Sequence, residues 1–267
     1  MTKKRILYVS QEISPYLPEN DLSKISRRLP QSMSESGIEV RLFMPKFGCI
    51  NERRHQLHEV IRLSGMNLIV NDIDQPLIIK VASIPQARMQ VYFIDNEEYF
   101  KRKFTTKDKK GVFYADNDER ALFFCRGVIE SVKKLGWSPD IIHCNGWMAS
   151  FLPMYLKKFY HDDPLFEKTK VVFSFYANSF DGKLSEKLSE KLLFDGFSEE
   201  EVSGFNHANA KKLEDAAITY SDAIIIGSSE LDDEILQKVK STKLPILDFS
   251  EEYKDKYKPF YESLFQS

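Results

Sequence analysis

The sequence predicts an α/β fold: a Rossmann-like, doubly wound, mostly parallel sheet. Two observations predict it. Short apolar runs rich in Val, Ile and Leu alternate with helical patterns along most of the 267 residues. Most of those runs also lack polar alternation, which marks strands covered on both faces. Repeated alternation of this kind builds an open sheet with helices on its two sides.

Taken in order, the first strand is Ile6–Ser10, and a helix at Leu22–Ser36 follows it and ends at Gly37, a C′ glycine. The next strand is Val40–Phe43. From His55 to Arg88 the rhythm breaks into several strands in succession, including Leu77–Ser83, which predicts an antiparallel excursion or hairpin. Val91–Ile94 returns to the sheet. Asn117–Leu135 is a helix closed by Gly136, with Ala121, Phe124, Val128 and Val132 on one apolar face. The strand Ile141–His143, the helix Met148–Tyr160 and the strand Val171–Phe175 come next. Gly182–Ser203 is polar and acidic and contains LSEK twice; two tetrapeptides cannot build a solenoid, so an exposed short helix is expected. Helix Asn206–Tyr220, strand Ala223–Ile226 and helix Ser229–Lys240 complete a domain over residues 1–240. The tail, 241–267, carries Phe249, Tyr253, Tyr257, Phe260, Tyr261 and Phe265 at spacings near three and four. It reads as an amphipathic helix interrupted near Pro259 that docks on the domain or on a partner.

Composition bounds the function. Hydrophobic content of 42% and charged content of 29% are those of a soluble globular protein. A net charge of −2 argues against nucleic-acid and membrane-surface binding, which need concentrated positive charge. Cys49, Cys125 and Cys144 form neither a metal pattern nor a disulfide framework, so a reducing cytoplasm is expected. The basic start MTKKRILYVSQE has too short an apolar run for a signal peptide, and no run reaches the roughly 18 apolar residues of a spanning helix. Aromatic content is 13%, with 20 Phe and 12 Tyr; core packing accounts for it, and sugar faces also pack on such rings. There is no G-x-S-x-G elbow, Walker loop, HExxH or zinc spacing, and His55 and His58 read as a surface pair. Neither a metal nor a cofactor is expected.

Ligands of open α/β sheets bind beyond the carboxyl ends of the strands. The segments to inspect are therefore Ser10–Asp21, Pro45–Ile50, Asp95–Phe100, Cys144–Trp147, Tyr176–Asp181 and Gly227–Glu230. The first is the position of a phosphate cradle, which needs glycine so that bare backbone can approach the ligand. No glycine precedes Gly37; the turn offers Pro18, Glu19, Asn20 and Asp21 instead.

Several post-strand segments resemble one family. ILYVSQEISPY, then LP and GIEVRLFMPKFG, VYFIDNEEYFKRK, YADNDERALFFCRGVIE, LGWSPDIIHCNGW, VVFSFYANSFDG and SDAIIIGSSELDDEI fall in the order of the N-terminal domain of bacterial glycogen and plant starch synthases. The resemblance runs from about Lys4 to Ile235. It implies one half of a GT-B glycosyltransferase, built from two facing Rossmann-like halves. Such enzymes transfer glucose from ADP- or UDP-glucose to the non-reducing end of an α-1,4-glucan, with retention and without a metal. The N-terminal half holds the acceptor; the chain is expected to be that half alone.

The family's first loop reads Lys-x-Gly-Gly, the lysine near the donor phosphates. Here those positions fall on Pro18, Glu19, Asn20 and Asp21, a degenerate donor loop whose carboxylates oppose phosphate. The family's His-x-His-Asp-Trp becomes His143-Cys144-Asn145-Gly146-Trp147, and in the later loop its Ile-His-Asn becomes Phe175-Tyr176-Ala177-Asn178. Tyr114, Asp116 and Asn117 match a family Tyr-x-Asp-Asn whose aspartate lies near the reacting sugar. The resemblance thus implies sugar contacts at Tyr114, Asp116, Asn117, His143, Asn145, Trp147, Asn178 and Asp181, with Asp116 and Asn145 as catalytic remnants. Structural roles stand beside these: Asn117 as helix N-cap, Asp116 as a first-turn carboxylate, Trp147 as core, His143 as a satisfied buried histidine, Asp181 as a turn residue. Three functions follow: a glucosyltransferase completed by another chain, impaired or inactive alone; a non-catalytic glucan-binding, regulatory or scaffolding protein; or a binder of a different ligand at the same strand ends, Glu19 and Asp21 favouring a cationic or polyhydroxyl partner. The expected partner is glycogen or a maltooligosaccharide, nucleotide-sugar binding being opposed by the loop, with a homo-oligomer or partner chain met through the tail.

Overall fold

The computed structural model describes residues 3–84, 87, 89–177 and 179–266. The strands are β1 (Arg5–Ser10), β2 (Glu39–Pro45), β3 (His58–Glu59), β4 (Met66–Val70), β5 (Ile73–Ile84), β6 (Met89–Asp95), β7 (Ile141–Asn145), β8 (Lys170–Phe175), β9 (Ala223–Ile226) and β10 (Ile246–Leu247). The helices are α1 (Asp21–Glu35), α2 (Glu52–His55), α3 (Glu97–Phe100), α4 (Asn117–Leu135), α5 (Phe151–Phe159), α6 (Leu188–Phe194), α7 (Ala210–Tyr220), α8 (Asp233–Ser241) and α9 (Lys258–Leu264). The sheet runs β10-β9-β8-β7-β1-β2-β6-β5-β3, with β4 paired to β5. From β10 to β6 every pairing is parallel. This is the Rossmann-like, mostly parallel α/β sheet that the alternating runs predict.

The strands explain themselves by burial. β1 and β7–β9 are apolar and covered on both faces, so no alternation survives in their sequences. β5 instead alternates exposed and buried residues from Ile73 onward, as an outer antiparallel strand does. It turns back from β4 at Asn71 and Asp72, both in the left-handed region (φ 52° and 59°), the geometry of a two-residue hairpin. The excursion expected between His55 and Arg88 is therefore this hairpin; Arg88 itself lies outside the described residues.

Several helix limits differ from those expected. α7 starts at Ala210 rather than Asn206, because Asn209 accepts from the Lys212 amide and caps it there. α8 starts at Asp233, capped by Asp232. The helix expected at Met148–Tyr160 begins as a 3₁₀ turn, Trp147–Ala149, and becomes α5 at Phe151, with Pro153 in its first turn. The LSEK stretch corrects an expectation. Its second copy forms α6, but Leu188, Lys191 and Leu192 are buried, and Lys191 pairs with Asp118 at 2.6 Å and Glu119 at 2.7 Å. α6 is an embedded clamp on the start of α4, not an exposed helix.

Chain order fixes which face each helix covers. α1 follows β1 toward β2, whereas α4 packs on β2 and β6 and adjoins α5, which lies with α7 along the β7–β9 half. The opposite face of that half would be bare apolar strand. The tail covers it: residues Tyr253–Tyr257 form a π-helical turn packed on α1, α9 continues from it with Pro259 in its first turn, and Tyr257, Tyr261 and Leu264 are buried. β10 adds to the sheet edge beside β9. Among the described residues no helix is long and apolar enough to cross a membrane.

Candidate functional site

The chain order reverses at β1, whose neighbours are β2 and β7, and the carboxyl ends diverge there. A cleft of about 910 Å³ opens beyond the ends of β1, β7, β8 and β9. Its floor comes from the exits of β1 and β7. Gly146, with φ of 85°, allows this: a Cβ there would stand 2.9 Å from Gln11 Cβ and from Leu22 Cδ1. The β7 exit can thus press against the β1 exit, and Gln11 Oε1 accepts from the Met148 amide at 3.2 Å.

One wall is aromatic. Trp147 and Phe180 line the cleft with ring centroids 4.7 Å apart, and Phe113 stacks on Phe180 at 5.2 Å with an interplanar angle of 4°. The remaining wall is acidic. Glu12, Asp21, Asp181, Glu214, Glu230 and Asp232 line it against Lys107 and Lys211, and Lys211 is already paired with Glu234.

The degenerate loop divides in the structure. Asn20 caps α1, its Oδ1 accepting from the Ser23 amide at 2.7 Å while Ser23 Oγ accepts from the Asn20 amide at 2.9 Å. The helix N-terminus that could hold a phosphate is thereby filled by the chain's own side chains. Asn20 and Asp21 line the cleft. Pro18 and Glu19 do not; Glu19 lies in a separate groove with Lys24, Arg27 and Arg28. Of the two carboxylates expected to face a donor phosphate, only Asp21 reaches the cleft. Glu12, not singled out in the sequence, supplies another and accepts from Asn20 Nδ2 at 2.5 Å.

His143 is wholly buried; its Nδ1 meets Tyr261 Oη at 2.7 Å and its Nε2 meets Ser174 Oγ at 2.6 Å. Burial pushes its pKa down to about 3, so the ring stays neutral. It does not line the cleft, although Ser174 does. Asn145 ends β7 with Oδ1 accepting from Tyr176 Oη at 2.7 Å, so its amide fixes the tyrosine ring at the cleft wall. The same ring closes over Gly227, where a Cβ would stand 2.6 Å from Tyr176 Cε1. Trp147 lines the cleft while only 5% exposed, and Asp181 lies on its exposed rim. Asn178 lies outside the described residues.

Tyr114, Asp116 and Asn117 gather elsewhere. Asp116 receives both guanidinium nitrogens of Arg102, at 2.6 and 2.5 Å, and that guanidinium lies 4.6 Å from the Tyr114 ring. Asn117 donates to the Thr106 carbonyl at 2.8 Å and accepts from Arg120 at 2.6 Å. Asp116, not Asn117, occupies the N-cap position of α4, and it makes no capping hydrogen bond because both oxygens serve Arg102. Arg120 is fully buried among Phe47, Phe100 and Tyr114, and burial pulls its pKa down to about 10. None of the three matched residues lines the cleft. They anchor the loop that carries Thr106 and Lys107 to it.

Glu214 is a cleft residue that strand-end inspection misses, because it sits on α7. The signal was there. Ala210, Leu213, Glu214 and Ala217 share one helical face at i, i+3, i+4 and i+7, so a carboxylate interrupts an apolar stripe.

The profile of a family described as "Starch synthase catalytic domain" matches residues 5–245. The glycogen synthase of Chlorobium luteolum (strain DSM 273 / BCRC 81028 / 2530) is 39% identical over 215 residues, 78% of this chain and 42% of that protein. That of Chlorobium limicola (strain DSM 245 / NBRC 103803 / 6330) is 40% identical over 190 residues, 71% and 39% of the two lengths. The chain spans less than half the length of these relatives. Among solved structures, the catalytic domain of Starch Synthase IV from Arabidopsis thaliana bound to ADP and acarbose matches with a TM-score of 0.68 at 18% identity. The match covers 84% of this chain and 45% of that one and is a likeness of fold.

Proposed function

The chain belongs to the starch synthase catalytic domain family, and from that premise we propose that it is an acceptor-side, α-1,4-glucan-binding domain that does not turn over a sugar nucleotide by itself. The observation that carries this reading is the charge of the cleft: six carboxylates face two lysines. A nucleotide diphosphate entering there would meet like charge, which costs several kcal/mol once water is excluded, on the order of the values for close charge pairs. The start of α1 offers it no compensation, since Asn20 and Ser23 satisfy each other's backbone amides. A neutral glucan meets no such penalty. Its rings can pack on the Trp147–Phe180 wall, and its hydroxyls can bond to Gln11, Ser174 and Ser228.

The second reading is the family activity: glucosyl transfer from ADP- or UDP-glucose to the end of an α-1,4-glucan. The match at Tyr114, Asp116 and Asn117 favours it. Their engagement with Arg102, Arg120 and the Thr106 carbonyl favours the first. A non-catalytic domain of this kind suits a regulatory or scaffolding place beside a complete synthase. Calorimetric titration with maltooligosaccharides, ADP-glucose and UDP-glucose, alongside a glucosyl-transfer assay, tests the choice. The expected result is micromolar-to-millimolar glucan binding with no donor heat and no transfer. Robust transfer by the purified chain would overturn it.

A further inference from the structure

Glu214 is an unusual cleft residue. It is 9% exposed, it lines the cleft from α7, and its Oε2 is buried without a hydrogen-bond partner. A buried carboxylate oxygen left unpaired is costly, and a group supplied from the cleft would satisfy it. The charges around it decide which group. On its own helix stand Lys211 and Asp215, and from α8 and its cap come Asp232 and Lys238. Both lysines are occupied, Lys211 by Glu234 and Lys238 by Asp215. The rest of the cleft lining adds Asp181, Glu230 and Lys107. The surroundings are net acidic, and burial with Asp215 and Asp232 nearby raises the pKa of Glu214 to about 7. Among the described residues no group of three or more His, Cys, Asp or Glu is arranged to hold a metal ion, so the unpaired oxygen does not read as part of a metal site.

We propose that Glu214 is a specificity-determining residue that pairs with a protonated amine, so that the cleft favours an amine-bearing saccharide over the corresponding neutral glucan. The inference rests on the glucan-binding reading above and deepens it. An ammonium donates up to three hydrogen bonds and carries the charge that the cleft lacks, whereas a hydroxyl gains only one bond.

The test compares maltotetraose, the same tetrasaccharide with a 6-amino-6-deoxy group on its non-reducing glucose, and spermidine, by calorimetry at pH 6 and pH 8. The amino sugar is expected to bind about tenfold more tightly than maltotetraose at pH 8. That advantage shrinks at pH 6, where Glu214 holds its proton. Glu214→Gln, nearly isosteric, is expected to abolish both the advantage and its pH dependence, so that the two saccharides bind within about twofold of each other. Asp215→Asn, outside the cleft lining, is expected to preserve the advantage at pH 8 while moving its loss to lower pH, since Asp215 is one of the charges that raise the Glu214 pKa. Equal binding of the two saccharides at pH 8, or an advantage that survives in Glu214→Gln, overturns the proposal. Spermidine binding as tightly as the amino sugar overturns the saccharide part. Failure of both saccharides to bind sinks the glucan-binding reading itself, which is a distinguishable outcome.

Discussion

Two side chains show how burial assigns roles that residue type alone leaves open. A histidine at a strand end reads as a satisfied core residue or as a ligand contact, and His143 is wholly buried, with the tail residue Tyr261, 118 positions away in sequence, on Nδ1. No local signal predicts that pairing, which is why the sequence left both readings open. The consequence is measurable. The folded pKa of His143, about 3, lies below its ordinary 6.5, so as pH falls the unfolded chain takes the proton first. Stability present above pH 6.5 is therefore lost progressively down to about pH 3, by up to about 1.4 kcal/mol per pH unit. Urea midpoints measured from pH 7 to pH 4 should fall more steeply for the natural chain than for His143→Gln. Parallel slopes would contradict a buried neutral ring. Glu214 runs the other way. Its folded pKa is raised to about 7, so its ionisation opposes folding as pH rises through that value. Glu214→Gln should raise the melting temperature at pH 8 by about 3 °C and change it little at pH 5. Unlike the tail contact, this residue was legible, since an acid inside the apolar stripe of α7 stands out once the helical face is drawn.

Caps and covers decide the elements. The helical pattern near α1 was visible in the sequence, but not that Asn20 would close its N-terminus and remove a ready anion site. Asn20→Ala should cost about 1 kcal/mol of stability, read as a shift in the chemical-denaturation midpoint. An unchanged midpoint would mean that the cap contributes nothing. The tail was legible as an aromatic stripe, yet what it covers depends on crossover handedness: the helices of the β7–β9 half lie on one face, and the tail takes the other. Tyr257 and Tyr261 are both fully buried there. Tyr257→Ala should therefore destabilise by about 3–5 kcal/mol, the usual cost of emptying a large aromatic site in a core. A loss under about 1 kcal/mol would show the tail to be a loosely attached segment. The short elements α2, α3, β3 and β10 escaped the sequence because stretches of two to four residues carry no periodicity to detect.

For the whole molecule, the alternation of buried strands and crossover helices made the fold readable, while the site was readable only in outline. Of the residues in the strand-end segments, Asp21, Trp147 and Asp181 line the cleft; Tyr114, Asp116 and Asn117, singled out by the family resemblance, anchor the neighbouring loop. The matching motif records position along the chain; the arginines that claim those side chains, Arg102 before the motif and Arg120 within its segment, do so through the fold. The central claim is that the cleft takes a glucan and refuses a sugar nucleotide. The chain has two tryptophans, and only Trp147 lines the cleft, Trp137 being bonded through its indole N–H to Glu39 at 2.6 Å. The most direct measurement follows the Trp147 indole N–H resonance during separate titrations with maltotetraose and ADP-glucose. Saturable movement with maltotetraose and none with ADP-glucose is the predicted result; saturable movement with ADP-glucose would contradict it.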